Sequence, residues 1–374
     1  VGGARSQERI NELRKRWNNI NKNTKDYIKS EVFKVFESPN KNARDTAAIV
    51  IAKIAGIETI KNWPKLIPQL LNKFNKSNTE MKQSILFTIS MIGEDSNNID
   101  EMQQYTVMML QCIMQGMSCD NNVRVQAIKC LYNIIDLIKP NMQKTKESDV
   151  IMQMICASAQ HNNNQLKLYG FMCLNKIIER YYENMERYIK TIFTVTKNVI
   201  SNCIQLGLNG NIDDDLSNIC KQAIEVWSTC AEIEFERMIE NDRYNKSNLQ
   251  HKRLKVFGFV DHASKLLLPY YLKALTIIDP DTFDDDTLDI RKTCALGLGS
   301  FALVSKNKIV GPVVNFVKDN INNKQDWKKR EASMVAFGYI LEGPDPQALS
   351  HLTPKIIPII LMLMEDEHKM VRSS

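Results

Sequence analysis

Apolar residues recur along most of this chain at steps of three and four, the spacing that lines one face of an α-helix. The clearest stripe comprises Val256, Val260, Ala263, Leu267, Tyr271, Ala274 and Ile278. Strand-like alternation of apolar and polar positions is hard to find. The pattern therefore predicts an all-α fold.

A second pattern recurs at longer range. A proline lies inside an apolar helical segment, a polar turn follows, and a basic residue opens a second helical segment. The four instances pair Pro68 with Lys82, Pro269 with Arg291, Pro312 with Arg330 and Pro358 with Arg372. Because a proline inside a helix removes a backbone hydrogen bond, each instance predicts a hairpin whose first helix is bent.

The predicted second helices are evenly spaced. Their basic residues are Arg44, Lys82, Arg124, Lys167, Arg291, Arg330 and Arg372, and most successive ones lie about 40 residues apart, close to the period of HEAT arrays. One more second helix is predicted near Cys220, together with two insertions. We predict a single α-α superhelix (solenoid) of HEAT repeats over residues 1–374, with about eight to nine hairpins. Such arrays wrap partners and offer no deep enclosed pocket.

Two segments break the period. Residues 240–251 are polar and predict an exposed linker. Residues 279–289 predict an acidic loop with six aspartates, Asp279, Asp281, Asp284, Asp285, Asp286 and Asp289. The loop could be a solvated turn, a calcium loop or a docking site for a Lys/Arg-rich partner. The spacing lacks the turn glycine and terminal glutamate of an EF-hand.

Composition narrows the class of protein. The net charge is +6, from 49 Lys+Arg against 43 Asp+Glu, and the lysines are scattered, so direct nucleic-acid binding is not expected. No apolar run reaches the length of a membrane span, and no signal peptide opens the chain. Nine cysteines embedded in helical patterns fit a reducing compartment. The chain lacks an initiator Met and stops inside a new helix, so we expect a fragment.

No catalytic or metal-binding constellation is found. Residues 297–302 read G-x-G-x-x-A, but they lie in a helical pattern without the preceding strand that a dinucleotide site needs. The five histidines have no ligand spacing and no cysteine partner. We therefore expect no enzymatic activity, no cofactor and no metal.

Two motifs carry a family resemblance. Residues 326–346, from Asp326 to Pro346, resemble the signature hairpin of importin-β, and residues 63–71 resemble the proline-containing helix near that family's amino terminus. The acidic insertion lies where the family has its acidic loop. The resemblance extends from about Arg16 to Arg372 and implies a fragment that lacks the first hairpin and the C-terminal repeats.

The resemblance implies a nuclear import receptor. Such a receptor carries cargo with a basic localisation signal, directly or through importin-α, passes phenylalanine-glycine (FG) nucleoporins, and releases cargo on binding Ran-GTP. It would occupy cytoplasm, nucleus and the nuclear pore at the envelope. Family members are typically acidic, which this chain is not. The alternative is a HEAT scaffold of another class, such as a protein phosphatase scaffold subunit, which accounts for the hairpins but not for the acidic loop.

The resemblance also implies site residues. The acidic-loop residues Asp279, Asp281, Asp284, Asp285, Asp286 and Asp289 would contact Ran or importin-α. Asp326 and Trp327 would hold basic side chains of importin-α, since an indole ring attracts a cation over its face. FG repeats would enter an apolar slot at Leu174, Ile178, Phe193 and Val195. The alternatives are that Trp327 is a packed core residue and that the Leu/Ile stripe is core.

Overall fold

The structure, a computed structural model, describes residues 2–58, 60–94, 99–247, 252–278 and 289–373, and within these ranges the regular secondary structure is helical throughout. This confirms the prediction of an all-α fold. The chain divides into two compact units, residues 1–176 and 177–374.

The first unit has eleven α-helices in its described part, with the last one running past residue 176. Short 3-10 helices lie at Ile60–Asn62 and Ile135–Leu137. The α-helices are α1 (Gly2–Asn18), α2 (Lys22–Phe36), α3 (Lys41–Glu58), α4 (Leu66–Phe74), α5 (Thr79–Glu94), α6 (Ile99–Gln103), α7 (Thr106–Met117), α8 (Asn121–Ile134), α9 (Lys139–Met142), α10 (Thr145–Ala159) and α11 (Asn164–Tyr181).

The second unit continues with nine α-helices over its described residues, after a 3-10 helix at Tyr182–Arg187. They are α12 (Ile189–Leu208), α13 (Asp214–Lys246), α14 (Phe259–Ala274), α15 (Ile290–Ser305), α16 (Asn307–Asn320), α17 (Trp327–Tyr339), α18 (Pro346–Ser350), α19 (Thr353–Leu363) and α20 (Lys369–Arg372).

Helices pack as a repeated hairpin in each unit. A first helix pairs with the second helix that follows it, as in α2 with α3, α7 with α8, α14 with α15 and α16 with α17. Second helices also pack against one another in chain order, from α3 to α5 to α8 in the first unit and from α13 to α15 to α17 in the second. Each hairpin thus buries its apolar stripe against its neighbours, as a HEAT solenoid requires.

Three of the arginines near the starts of second helices, Arg44, Arg291 and Arg330, are structural clamps. Arg44 is buried and donates hydrogen bonds to the backbone oxygens of Ser38 and Pro39 in its own hairpin, and to Glu80 and Ser84 of the next one. Its guanidinium thereby satisfies two carbonyls of the turn between α2 and α3. The clamp ties successive repeats together.

The same clamp recurs in the second unit. Arg330 donates to the Asn323 oxygen at 2.6 Å and, through two nitrogens at 2.7 Å each, to Asp366. Arg291 donates to the Leu275 oxygen at 3.0 Å and pairs with Glu331 of the next repeat. The sequence pattern predicted these basic positions, and the structure shows what holds them.

Three of the four prolines lie inside a first helix, as the sequence predicted, while the bend itself stays a prediction. Pro269, Pro312 and Pro358 lie inside α14, α16 and α19. Pro68 is different, because it is the third residue of α4. The first-turn N–H groups of a helix have no intrahelical acceptor, so proline at this place removes no hydrogen bond.

The prediction of a linker over 240–251 is wrong for its first seven residues, which are the end of α13. Polar composition misled the prediction. Asn241 is buried, and its side chain donates to the Leu254 oxygen and accepts from the Leu254 N–H. These bonds hold the helix end against residues 252–258. The long α13 also contains the second helix predicted near Cys220.

Residues 253–258 form an irregular segment before α14, so Val256 of the predicted stripe lies outside the helix. Gly258 has φ +71°, a conformation that favours glycine. The turn at Gly258 stacks Phe257 on Phe259, with ring centroids 4.9 Å apart. The buried Glu234 carboxylate accepts from the Phe259 N–H at 2.7 Å and from the Val260 N–H at 3.3 Å, which caps α14.

Candidate partner-binding surface at Trp327

Trp327 is the first residue of α17 and is half-buried. The helix begins there because the Asp326 side chain accepts a hydrogen bond from the Lys328 N–H at 3.1 Å, as an N-cap residue does. Asn323 holds the turn, accepting from the Asp326 N–H at 2.9 Å. The indole is therefore held at a helix start next to a carboxylate.

One face of the Trp327 indole is covered. The His368 ring stacks on it, with centroids 3.8 Å apart and planes 11° from parallel. His368 is placed by its backbone N–H, which donates to Asp366 at 2.8 Å. The Arg330 hydrogen bond to the Asp366 carboxylate lowers the pKa of that group, against the opposing effect of burial. Sequence analysis did not identify His368, whose stacking depends on a contact between two hairpins.

The residue that precedes the acidic loop is tied to the start of α17. Lys328 donates through its ammonium to the Ile278 backbone oxygen at 3.0 Å, and Ile278 directly precedes the loop. Ile278, where the acidic loop begins, is thus joined to α17 one residue after Trp327. The placement of Asp279, Asp281, Asp284, Asp285 and Asp286 lies outside the described residues.

Asp289 closes the loop and has a structural contact. Its side chain accepts from the Lys292 N–H at 2.6 Å, capping α15. One carboxylate oxygen is therefore engaged by the helix. The predicted contact of this residue with Ran or importin-α stays a prediction.

The predicted FG slot is not formed by its predicted residues. Leu174 and Ile178 have no exposed surface and Val195 has 2%, so these three are core residues and that part of the prediction is wrong. Phe193 is half-buried and packs edge-on against Trp227 at 5.8 Å. An apolar stripe at helical spacing marks the buried face of a helix, which is why the sequence could not separate slot from core.

Other first helices expose apolar side chains that sequence analysis missed. On α7, Val107 is 45% exposed and Met114 is 41% exposed. They are seven residues apart, which places them two turns apart on one face of the helix. The sequence could have indicated this exposed surface, since the apolar residues of α7 extend beyond the single face that a buried helix requires.

Nucleophilic chemistry is disfavoured at the buried thiols. Eight of the nine cysteines are buried, with Cys119 half-buried, and burial raises the pKa of Cys112 to about 12 and that of Cys156 to about 11. Such thiols stay protonated at neutral pH and are inert. Within the described ranges, no helix is long and apolar enough to cross a membrane, and no group of acids, histidines and cysteines has metal-ligand geometry.

Comparison with known proteins agrees with this architecture. A family described as "IPO5-like, TPR repeats" matches residues 39–195. Importin subunit beta-1 of Schizosaccharomyces pombe is 31% identical over 97% of this chain. The chain spans 41% of that relative's length.

Solved structures give the same result. The Kap95:Nup1 complex superimposes with a TM-score of 0.83 and 25% identity, over 97% of this chain and 41% of that one. Kap95p is the yeast importin-beta, and its structure with RanGDP matches with a TM-score of 0.83 and 25% identity, over 96% and 40% of the two chains.

Stacked hairpins tied by arginine clamps, with a half-buried tryptophan at the start of α17, define a HEAT-repeat solenoid. Along nearly its whole length the chain is similar to importins of the beta type. A phosphatase scaffold subunit, the alternative raised by the sequence, is not favoured by these relatives.

Proposed function

We propose that this chain is part of a nuclear import receptor of the importin-β type. The receptor carries basic cargo through the nuclear pore, directly or through importin-α, and Ran-GTP releases it. It moves between cytoplasm and nucleus. The function is binding, with no chemical step. One observation carries the proposal. Ile278, after which the acidic loop begins, accepts a hydrogen bond from Lys328 of α17, and the fold is similar to that of Kap95 over 97% of this chain.

The juxtaposition suits a basic partner helix. Carboxylates of the loop supply long-range attraction, and the Trp327 indole supplies a surface for a guanidinium or ammonium group, worth about 0.5–2 kcal/mol per contact. Support also comes from relatives, because Kap95 structures are known with Nup1 and with Ran. Asp326 contributes a further carboxylate next to Trp327.

Binding experiments test this proposal. We expect the chain to bind a peptide from the amino terminus of importin-α, and to prefer Ran-GTP to Ran-GDP. Reversing the charge of Asp284, Asp285 and Asp286 to lysine should weaken at least one of these interactions about tenfold, because steering by the loop is lost.

The control reverses three exposed acids on α13, Glu232, Glu236 and Asp242, which changes net charge equally. Calorimetry at moderate salt measures both affinities. Absence of binding to both partners, or equal losses in the control variant, would contradict the proposal.

For FG repeats, we propose the exposed face of α7 in place of the buried residues. Val107 and Met114 present apolar surface that a phenylalanine ring can cover. Changing both to serine should lower the affinity for an FG peptide several-fold. The matched control is Leu296→Ser, which removes an exposed apolar side chain from α15, a second helix. Unchanged FG affinity in the α7 variant would exclude this face.

A further inference from the structure

A groove of about 750 Å³ lies between α2 and the segment that leads into α4. We call it the α2–α4 groove. Its α2 side runs from Lys22 to Glu37, about 22 Å at the helical rise per residue. An extended peptide of about seven residues has that length. The groove lies in the first unit, apart from the Trp327 surface, and its proposed role does not depend on the transport function.

The floor of the α2–α4 groove is aromatic. Phe33 and Trp63 pack edge to face, with ring centroids 5.8 Å apart and planes at 81°. Pro64 continues the lining. Trp63 itself is buried, so the half-buried Phe33 ring and the exposed Pro64 ring offer the apolar surface to an inserted side chain. A further aromatic ring adds about 0.5–1.5 kcal/mol of edge or face contact.

The floor is held in place by a buried cation. Lys29 is buried, lies with its ammonium 4.9 Å from the centre of the Trp63 ring, and pairs with Glu58. Because Lys29 occupies a face of the Trp63 indole, that face is not available for a nucleobase to stack on. The geometry favours a side chain that inserts against ring edges, as a peptide residue does.

The rim of the α2–α4 groove is basic. Besides the buried Lys29 of the floor, three lysines line it, Lys22, Lys65 and Lys73, against two carboxylates, Asp26 and Glu37. Lys73 pairs with Glu37 at one end, where the carboxyl-terminal ends of α2 and α4 meet. Lys22 is the first residue of α2 and Lys65 directly precedes α4. Both are exposed and have no ion pair within the part of the chain that the structure describes. Their charge is available to a partner.

We propose that the α2–α4 groove is a docking site for an acidic peptide segment that carries an aromatic side chain. The aromatic ring packs on Phe33 and Pro64, which Trp63 supports from below, while flanking carboxylates meet Lys22 and Lys65. Charge complementarity selects the occupant: a neutral segment leaves both ammonium groups unused, and a basic segment opposes them.

The test uses the full chain and a labelled peptide of about ten residues that contains two phenylalanines among glutamates, long enough to fill the groove. Two matched peptides replace Phe by Ala or Glu by Lys. Fluorescence anisotropy should show saturable binding of the first, with losses of about tenfold or more for both others. Affinity should fall with rising salt, because exposed charges are screened.

Variants locate the binding. Lys22→Glu with Lys65→Glu should reduce the affinity about tenfold or more, whereas Lys76→Glu with Lys146→Glu, which reverses two exposed lysines of the same unit, should not. Phe33→Ala should weaken binding as well, and circular dichroism establishes whether it is folded. If Phe33→Ala does not fold, the comparison of the two pairs of exposed lysine variants tests the proposal.

Three results would overturn the proposal. They are absence of saturable binding, equal affinity for the Lys-substituted peptide, and equal effects of the two lysine pairs. A single-stranded RNA oligonucleotide that binds more tightly than the acidic peptide, with the same sensitivity to Lys22 and Lys65, would also overturn it and assign the groove to nucleic acid.

Discussion

Glu234 caps α14 from a neighbouring helix, and its removal should be among the most damaging single changes in the second unit. The buried carboxylate accepts from the Tyr182 hydroxyl at 2.7 Å and from the N–H groups of Phe259 and Val260. Glu234→Ala leaves these donors buried without an acceptor. At about 1–3 kcal/mol for each unmet donor, partly relieved by relaxation, the cost should be about 3–5 kcal/mol.

Glu234→Gln should cost less, about 1–2 kcal/mol, because its amide oxygen can still accept from the Tyr182 hydroxyl and the Phe259 N–H. The amide NH₂ then faces the Val260 N–H, where the second carboxylate oxygen was. The expected order of stability is therefore wild type, then Gln, then Ala. Glu232→Ala is the control, since Glu232 is exposed on the same helix and should change stability by less than about 0.5 kcal/mol.

Urea unfolding followed by circular dichroism measures the free energy of unfolding. Hydrogen exchange of residues 252–260 reports on the backbone N–H groups that Glu234 caps. Exchange there should accelerate in the Ala variant and remain slow in the Glu232 control. The reasoning fails if Glu234→Ala and Glu232→Ala unfold at the same urea concentration, or if Gln is as damaging as Ala.

The same residue makes a prediction about pH. Burial raises the pKa of Glu234, against the hydrogen bonds from Tyr182 and the α14 N–H groups. The folded state then holds a proton that the unfolded state has released, so stability decreases as pH rises from the ordinary glutamate pKa through the raised one. Glu234→Gln has no such titration. The stability advantage of wild type over this variant should therefore shrink as pH rises through that window.

Three further changes test other parts of the structure. Gly343→Ala should lower the melting temperature, because a Cβ there would lie 2.1 Å from the Ala302 oxygen, whereas Gly338→Ala, with nothing within 4 Å, should gain about 0.5–1 kcal/mol inside its helix. Arg330→Lys should lower the free energy of unfolding in urea by about 1–2 kcal/mol, because the bidentate pair with Asp366 is lost. The pKa of Asp366 is lowered mainly by the Arg330 hydrogen bond. The stability difference between wild type and this variant should therefore vanish as acid protonates Asp366. His368→Ala should uncover the stacked indole and raise the affinity for an importin-α peptide two- to tenfold, taking the stack as about 0.5–1.5 kcal/mol, and calorimetry would detect an opposite change.

Much of the fold followed from local patterns. Helical periodicity and the 40-residue spacing of basic residues predicted the second helices, which begin within about three residues of Arg44, Arg124 and Arg330. The prediction worked because each hairpin contacts mainly its neighbours, so local apolar periodicity is enough to define which face of each helix is buried. Local composition failed at residues 240–246, where a polar helix end is fixed by Asn241 contacting a residue 13 positions later.

The sequence by itself determined the fold class, the repeat and the two motifs that resemble importin-β. Only tertiary structure decided which apolar residues face solvent: Leu174 and Ile178 are core, whereas Val107 and Met114 are exposed. It also placed His368 on Trp327 and Lys328 at the edge of the acidic loop. The physical reason is that periodicity fixes which face of a helix is apolar, while exposure and stacking depend on how closely the next hairpin packs against it.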